Sequence, residues 1–174
     1  MPRGRMTDVD HTGRFDKYRE EKLHDPYITE KALAEPTICP VCNAIYHKKR
    51  WQFNKKMLLE LKLSKKYDSK VCPADRKIAD NYPMGVMNLS GAFVIEHRDE
   101  LVKLIKSEEK HAMEKNPLEK IMSIKITKDG ISVETTSETL ALRIGRILTR
   151  AYKGKHEYSF SYGDKYVTVD WRRD

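Results

Sequence analysis

Long apolar runs are missing from this sequence. None approaches the roughly twenty consecutive apolar residues that a membrane-spanning helix requires, and the opening Met1-Pro2-Arg3-Gly4-Arg5 lacks the apolar core of a signal peptide. No membrane partner is therefore expected. Cysteine is equally scarce: the three present cannot pair off evenly, so no disulfide framework is expected and a reducing, cytoplasmic setting is. Gly-rich phosphate loops, a nucleophile elbow and paired histidines are also absent, which removes the commonest catalytic readings. No internal repeat or low-complexity tract interrupts the chain.

What is present is charge. Of the 174 residues, 34% are charged and 39% hydrophobic, the balance of a strongly charged globular protein with room for one domain or two small ones sharing a core. The net charge of +8 is concentrated: His47 to Lys77 holds eleven Lys and Arg against Glu60, Asp68 and Asp75. A basic patch of this density most often meets a polyanion, and nucleic acid is the commonest one; the competing reading is a merely solvated lysine-rich helix.

That patch is bracketed by two short motifs of one form. Cys39-Pro40-Val41-Cys42 is followed by Cys72-Pro73-Ala74-Asp75, in which an aspartate takes the position of a fourth cysteine. Two residues between donors let a tight turn present both to one tetrahedral ion, and zinc accepts thiolates and carboxylates alike. Cys39, Cys42, Cys72 and Asp75 are thus the expected Zn2+ ligands, with His47 as the competing fourth donor. A redox Cys-x-x-Cys would open a helix in a βαβ pattern, which is not found here. Thiols acting only as small buried hydrophobes remain the other alternative. Catalysis would need an open coordination position and a neighbouring acid, so a zinc hydrolase is a lesser hypothesis and no enzyme is expected.

The organisation follows from punctuation and period. Residues 1–25 have few apolar groups and read as a flexible arm; residues 26–90 read as a zinc-knuckle module with a lysine-rich helical insert; residues 91–174 read as a separate α+β domain. Within the insert, Arg50 to about Lys66 is expected to be a helix, with Trp51, Leu58 and Leu61 on one side. Asn81 to Gly85 reads as a loop. Beyond it lie a helix from Glu96 to about Lys115, strands at Ile121–Thr127 and Ile131–Thr135 joined at Asp129-Gly130, and a helix capped by Ser137 running to Tyr152. Two alternating strands finish the chain, Tyr158-Phe160-Tyr162 and Val167-Val169-Trp171, with a turn at Gly163-Asp164. The fold class is α+β, an αββαββ sandwich with an antiparallel sheet.

Candidate nucleic-acid contacts follow. Lys48, Lys49, Arg50, Lys55, Lys56, Lys62, Lys65 and Lys66 form the patch, with Trp51 as a base-stacking candidate. Arg143, Arg146 and Arg150 share one face of the later helix and suit successive phosphates. Tyr158, Phe160 and Tyr162 read as sheet core, with base stacking as the alternative.

The run from Cys39 to Trp51, Cys72-Pro73-Ala74-Asp75-Arg76-Lys77-Ile78, Asp80-Asn81-Tyr82-Pro83, Gly91-Ala92-Phe93, Asp129-Gly130-Ile131-Ser132-Val133 and Leu142-Arg143-Ile144-Gly145-Arg146 together resemble a family of short bacterial proteins. More distantly, they are similar to the zinc-binding N-terminal region of the ribosomal large-subunit nuclear export adaptor, the nonsense-mediated decay protein family. The resemblance covers most of the chain after about Asp25. It implies Cys-x-x-Cys at the second knuckle, from which Asp75 departs. The more distant similarity to the export adaptor is what implies a ribosome or ribosomal subunit as target, with rRNA and ribosomal proteins as partners, in assembly, dormancy or quality control. Docking to an acidic protein is the alternative function. Under the zinc reading, Asp75→Cys is expected to tighten metal binding.

Overall fold

A computed structural model describes residues 25–28, 32–161 and 165–174. The expected arm, Tyr162 and the Gly163-Asp164 turn lie outside the described residues, apart from Asp25 at the arm's end.

Four short strands build a first sheet: β1 (Thr37–Ile38), β2 (Ile45–His47), β3 (Arg50–Gln52) and β4 (Asp68–Ser69), in the order β3-β2-β1-β4. Between β3 and β4 lies α1 (Lys55–Ser64), and α2 (Pro73–Ala79) follows. The helix expected from Arg50 therefore begins five residues later. Arg50, Trp51 and Gln52 pair with β2 as a strand, and Asn54 caps the helix through Oδ1, accepting from Met57 N at 3.0 Å. Lys48 and Lys49 make the hairpin possible by taking left-handed backbone, φ 53° and 59°. Glu35 secures that turn, accepting from both amides at 2.8 Å.

The second sheet has the order β6-β7-β5-β9-β8, from β5 (Gly85–Ser90), β6 (Ile121–Ile126), β7 (Gly130–Thr135), β8 (Lys155–Phe160) and β9 (Val167–Arg172). Its helices are α3 (Ala92–Glu96), α4 (Arg98–Lys115) and α5 (Glu138–Tyr152). The α+β class holds, with five helices and two sheets among the described residues. Two expectations need correction. The sheet is mixed rather than antiparallel, because β5 and β9 run parallel at its centre. And β5, which falls within the expected zinc module ending at residue 90, is the middle strand of this second sheet and begins inside the expected loop.

One sheet face meets the helices. Met87, Leu89, Ile131, Val133, Val167, Val169 and Trp171 point inward against Leu101 and Ile105 of α4 and Leu140, Ile144 and Leu148 of α5, all buried. Gly145 permits the close approach of α5, since a Cβ there would lie 2.9 Å from Val169 Cγ1. Tyr158 and Phe160 pack against this same core, so their alternation marks the inward face of an edge strand. The opposite face is polar: Asn88 donates to Asp170 at 2.9 Å and Ser123 to Glu134 at 2.6 Å. It offers no base-stacking platform among the described residues. No helix among them is long and apolar enough to cross a membrane.

Candidate metal centre

Each half of the cysteine cluster has its own local geometry. The first is a turn: Asn43 takes φ 62°, Cys39 N donates to Ala44 O at 2.8 Å, and Asn43 N donates to Cys39 O at 2.9 Å. The second is a helix start. Cys72 is the N-cap of α2 and its Sγ accepts from Asp75 N at 3.5 Å, with Pro73 in the first helical turn, where its missing N–H is harmless. Asp75 also sits in that first turn, where the helix dipole favours an anion.

The tertiary fold brings the two halves together. One donor atom from each of Cys39, Cys42, Cys72 and Asp75 lies within 4.8 Å of all the others, and together these residues could hold a metal ion. Cys42 Sγ and Cys72 Sγ are 3.8 Å apart, the edge of a tetrahedron with metal–sulfur bonds of about 2.3 Å. Asp75 Oδ2 stands 3.2 Å from Cys39 Sγ and 3.1 Å from Cys72 Sγ. Cys72 N donates to Cys39 Sγ at 3.3 Å, a contact that stabilises a thiolate. The four residues therefore fit a single thiophilic ion.

Charge in the cluster is shared unevenly. The Cys42–Cys72 contact favours one thiolate and one thiol: hydrogen bonding from Cys72 brings Cys42 down to about 6, while that same contact pushes Cys72 up. Burial pushes the Cys39 thiol up. Burial also opposes ionisation of Asp75, but hydrogen bonds from Cys42, Lys120, Cys72 and Cys39 outweigh it and hold the carboxyl at about 2.

Lys120 is the residue that spacing arguments miss. Its Nζ meets Asp75 Oδ1 at 2.5 Å, with both side chains buried, 8% and 6% exposed. It lies 45 residues along the chain from Asp75, and nothing local in the sequence marks it.

The remaining candidates separate by burial. His47 is outside the cluster; it faces Glu35, its Nδ1 3.7 Å from Oε2. Trp51 is only 8% exposed and packs with Cys39, Ala44, Cys72 and Ala74, so the stacking role is corrected: the indole is the apolar floor of the site. Lys48, Lys49, Arg50, Lys55, Lys56, Lys62, Lys65 and Lys66 are all exposed or partly so, and none is buried. Of the later row, Arg146 and Arg150 are exposed, but Arg143 is half-buried and pairs with Glu119 at 3.6 Å. Arg143 is tied to the fold instead of standing in an open phosphate row. No known protein family matches the chain, and no curated protein is significantly similar to it.

Proposed function

We propose that this protein is a zinc-stabilised, non-enzymatic factor that binds structured RNA through its phosphates, with a ribosome or ribosomal subunit as target. The observation that carries this reading is where the charge sits. The lysines and Arg50 that project from Lys48 to Lys66 lie on a segment that leaves and returns to the cysteine cluster, and none is buried. Closing the cluster on an ion would fix both ends of that segment, so that phosphate contacts form without first ordering the loop.

Zinc suits three thiolates and one carboxylate in a tetrahedron, and four protein donors leave no open position for a substrate or an activated water, which favours a structural role. The ribosome as target comes only from the distant similarity to the export adaptor. The test is sedimentation of the protein, assayed for metal content, with ribosomes and rRNA fragments across a salt series. Affinity should fall steeply with salt, because each neutralised phosphate releases counterions. A flat response would sink the reading.

A second reading has one observation in its favour. Leu59 and Leu63, one turn apart on α1, are 64% and 84% exposed among the lysines, a pattern that suits an acidic protein with an apolar groove. A purified complex free of nucleic acid, resistant to nuclease and broken by Leu63→Asp, would favour it.

A further inference from the structure

Asp75 uses its two oxygens differently. Oδ2 faces the sulfurs, 3.2 Å from Cys39 Sγ and 3.1 Å from Cys72 Sγ, while Oδ1 turns away and meets Lys120 Nζ at 2.5 Å. Lys120 is not carried there by Asp75. Its own backbone is pinned on both sides: Lys120 N donates to Thr136 Oγ1 at 2.8 Å and Thr136 N donates to Lys120 O at 2.9 Å. The ammonium is thus delivered to the cluster by the segment entering β6, from a position the metal module does not control. Leu118, two residues earlier, packs against the same cysteine core.

We propose that Asp75 and Lys120 work as one unit in place of a fourth cysteine. This rests on the zinc reading above. Oδ2 would be the ligand, and Lys120 would hold Oδ1, keeping the carboxylate in one orientation with a single oxygen toward the ion. Four anionic donors around a divalent ion leave two excess negative charges in a buried site, and the ammonium offsets one of them. A thiolate has only one donor atom. A cysteine at 75 would place it near the present Cγ, facing the ion, where the ammonium still offsets charge but has no second oxygen to hold. Lys120 therefore orients the ligand only while residue 75 is an aspartate, and with a cysteine there it keeps its charge role alone.

The test is a double-mutant cycle on the full chain, read by Zn2+ competition against a chromophoric chelator and by the Co2+ spectrum, whose thiolate bands distinguish three sulfurs from four. K120M should weaken Zn2+ binding about 10–100-fold, the usual cost of removing an outer partner, with K120R recovering part of it. In the D75C background the same K120M change should cost clearly less than in wild type, because only the charge offset is lost there, and the Co2+ spectrum should show four sulfurs with or without Lys120. Equal effects of K120M in both backgrounds would overturn the pair. If K120M does not fold, the comparison of D75C with D75C/K120M and of wild type with K120R decides the matter by the same criteria. Wild-type protein that binds neither Zn2+ nor Co2+ overturns the zinc reading and the pair together; wild-type binding that is indifferent to Lys120 overturns the pair alone.

Discussion

Asp75 and His47 are rival fourth ligands on spacing, and their surroundings separate them. Asp75 is inside the donor set, whereas His47 pairs with Glu35 at the end of β2 that leads away from it. His47→Ala should leave Zn2+ affinity within about twofold of wild type, while Asp75→Ala should cost more than the roughly 10–100-fold expected for an outer partner; isothermal titration with a competing chelator measures both. The carboxylate also sets a pH dependence in metal-free protein. Its folded pKa of about 2 lies below the ordinary 3.8, so ionised Asp75 contributes its full stability above the ordinary value and loses it as pH falls through the folded one. In chelator, the melting-temperature gap between wild type and Asp75→Asn should be full above about pH 5 and close as the pH approaches about 2. Trp51 belongs at this scale too. Because it is buried, Trp51→Ala should destabilise the fold by about 3–5 kcal/mol in denaturant melts.

Among the elements, α1 stands apart: it has an N-cap at Asn54 and a left-handed C-cap at Lys65, but no buried residue. Its charges can therefore be changed with little effect on the core. Replacing Lys55, Lys56, Lys62, Lys65 and Lys66 with glutamine should leave the melting temperature nearly unchanged. Under the proposed function, RNA affinity should fall, with the salt slope reduced by roughly one for each phosphate that is no longer neutralised. The opposite case is α5, whose Leu140, Ile144 and Leu148 are buried and whose Ser137 cap accepts from Leu140 N at 3.2 Å. Ser137→Ala should cost about 1 kcal/mol without altering RNA or metal binding. Legibility differs between the two for the same reason. The α5 stripe repeats at the helical period and begins at a cap, so its start and end can be read directly. The segment from Arg50 mixes apolar and basic residues with no buried stripe to set its phase, so the strand at Trp51 reads as helix from sequence.

At the scale of the whole molecule, the two sheets meet through buried ties. Lys120 reaches Asp75, and Lys77 of α2 bonds Thr136 O at 3.1 Å. Metal removal should therefore act unequally. Amide exchange after chelation should accelerate from β1 to α2, while β5, β7 and β9, held by the second core, keep their protection. Uniform acceleration across both sheets would mean that the metal supports the entire fold.

The sequence by itself determined the two cysteine-bearing motifs, the basic segment between them, the β6–β7 hairpin at Gly130 and the capped α5. In each of these the information is local, because a turn, a helical period or a two-residue spacing fixes geometry within a few bonds. Tertiary structure decided the rest. Val86-Met87-Asn88-Leu89-Ser90 alternates as a strand should, yet its place at the sheet centre comes from parallel pairing with Val167–Arg172, far along the chain. The same holds for Trp51 as floor, for Arg143 held by Glu119, and for Lys120 on the outer oxygen of Asp75. A lysine in a sequence does not announce which carboxylate it will meet; only the packing of two distant segments removes the water between them and makes that pair part of the site.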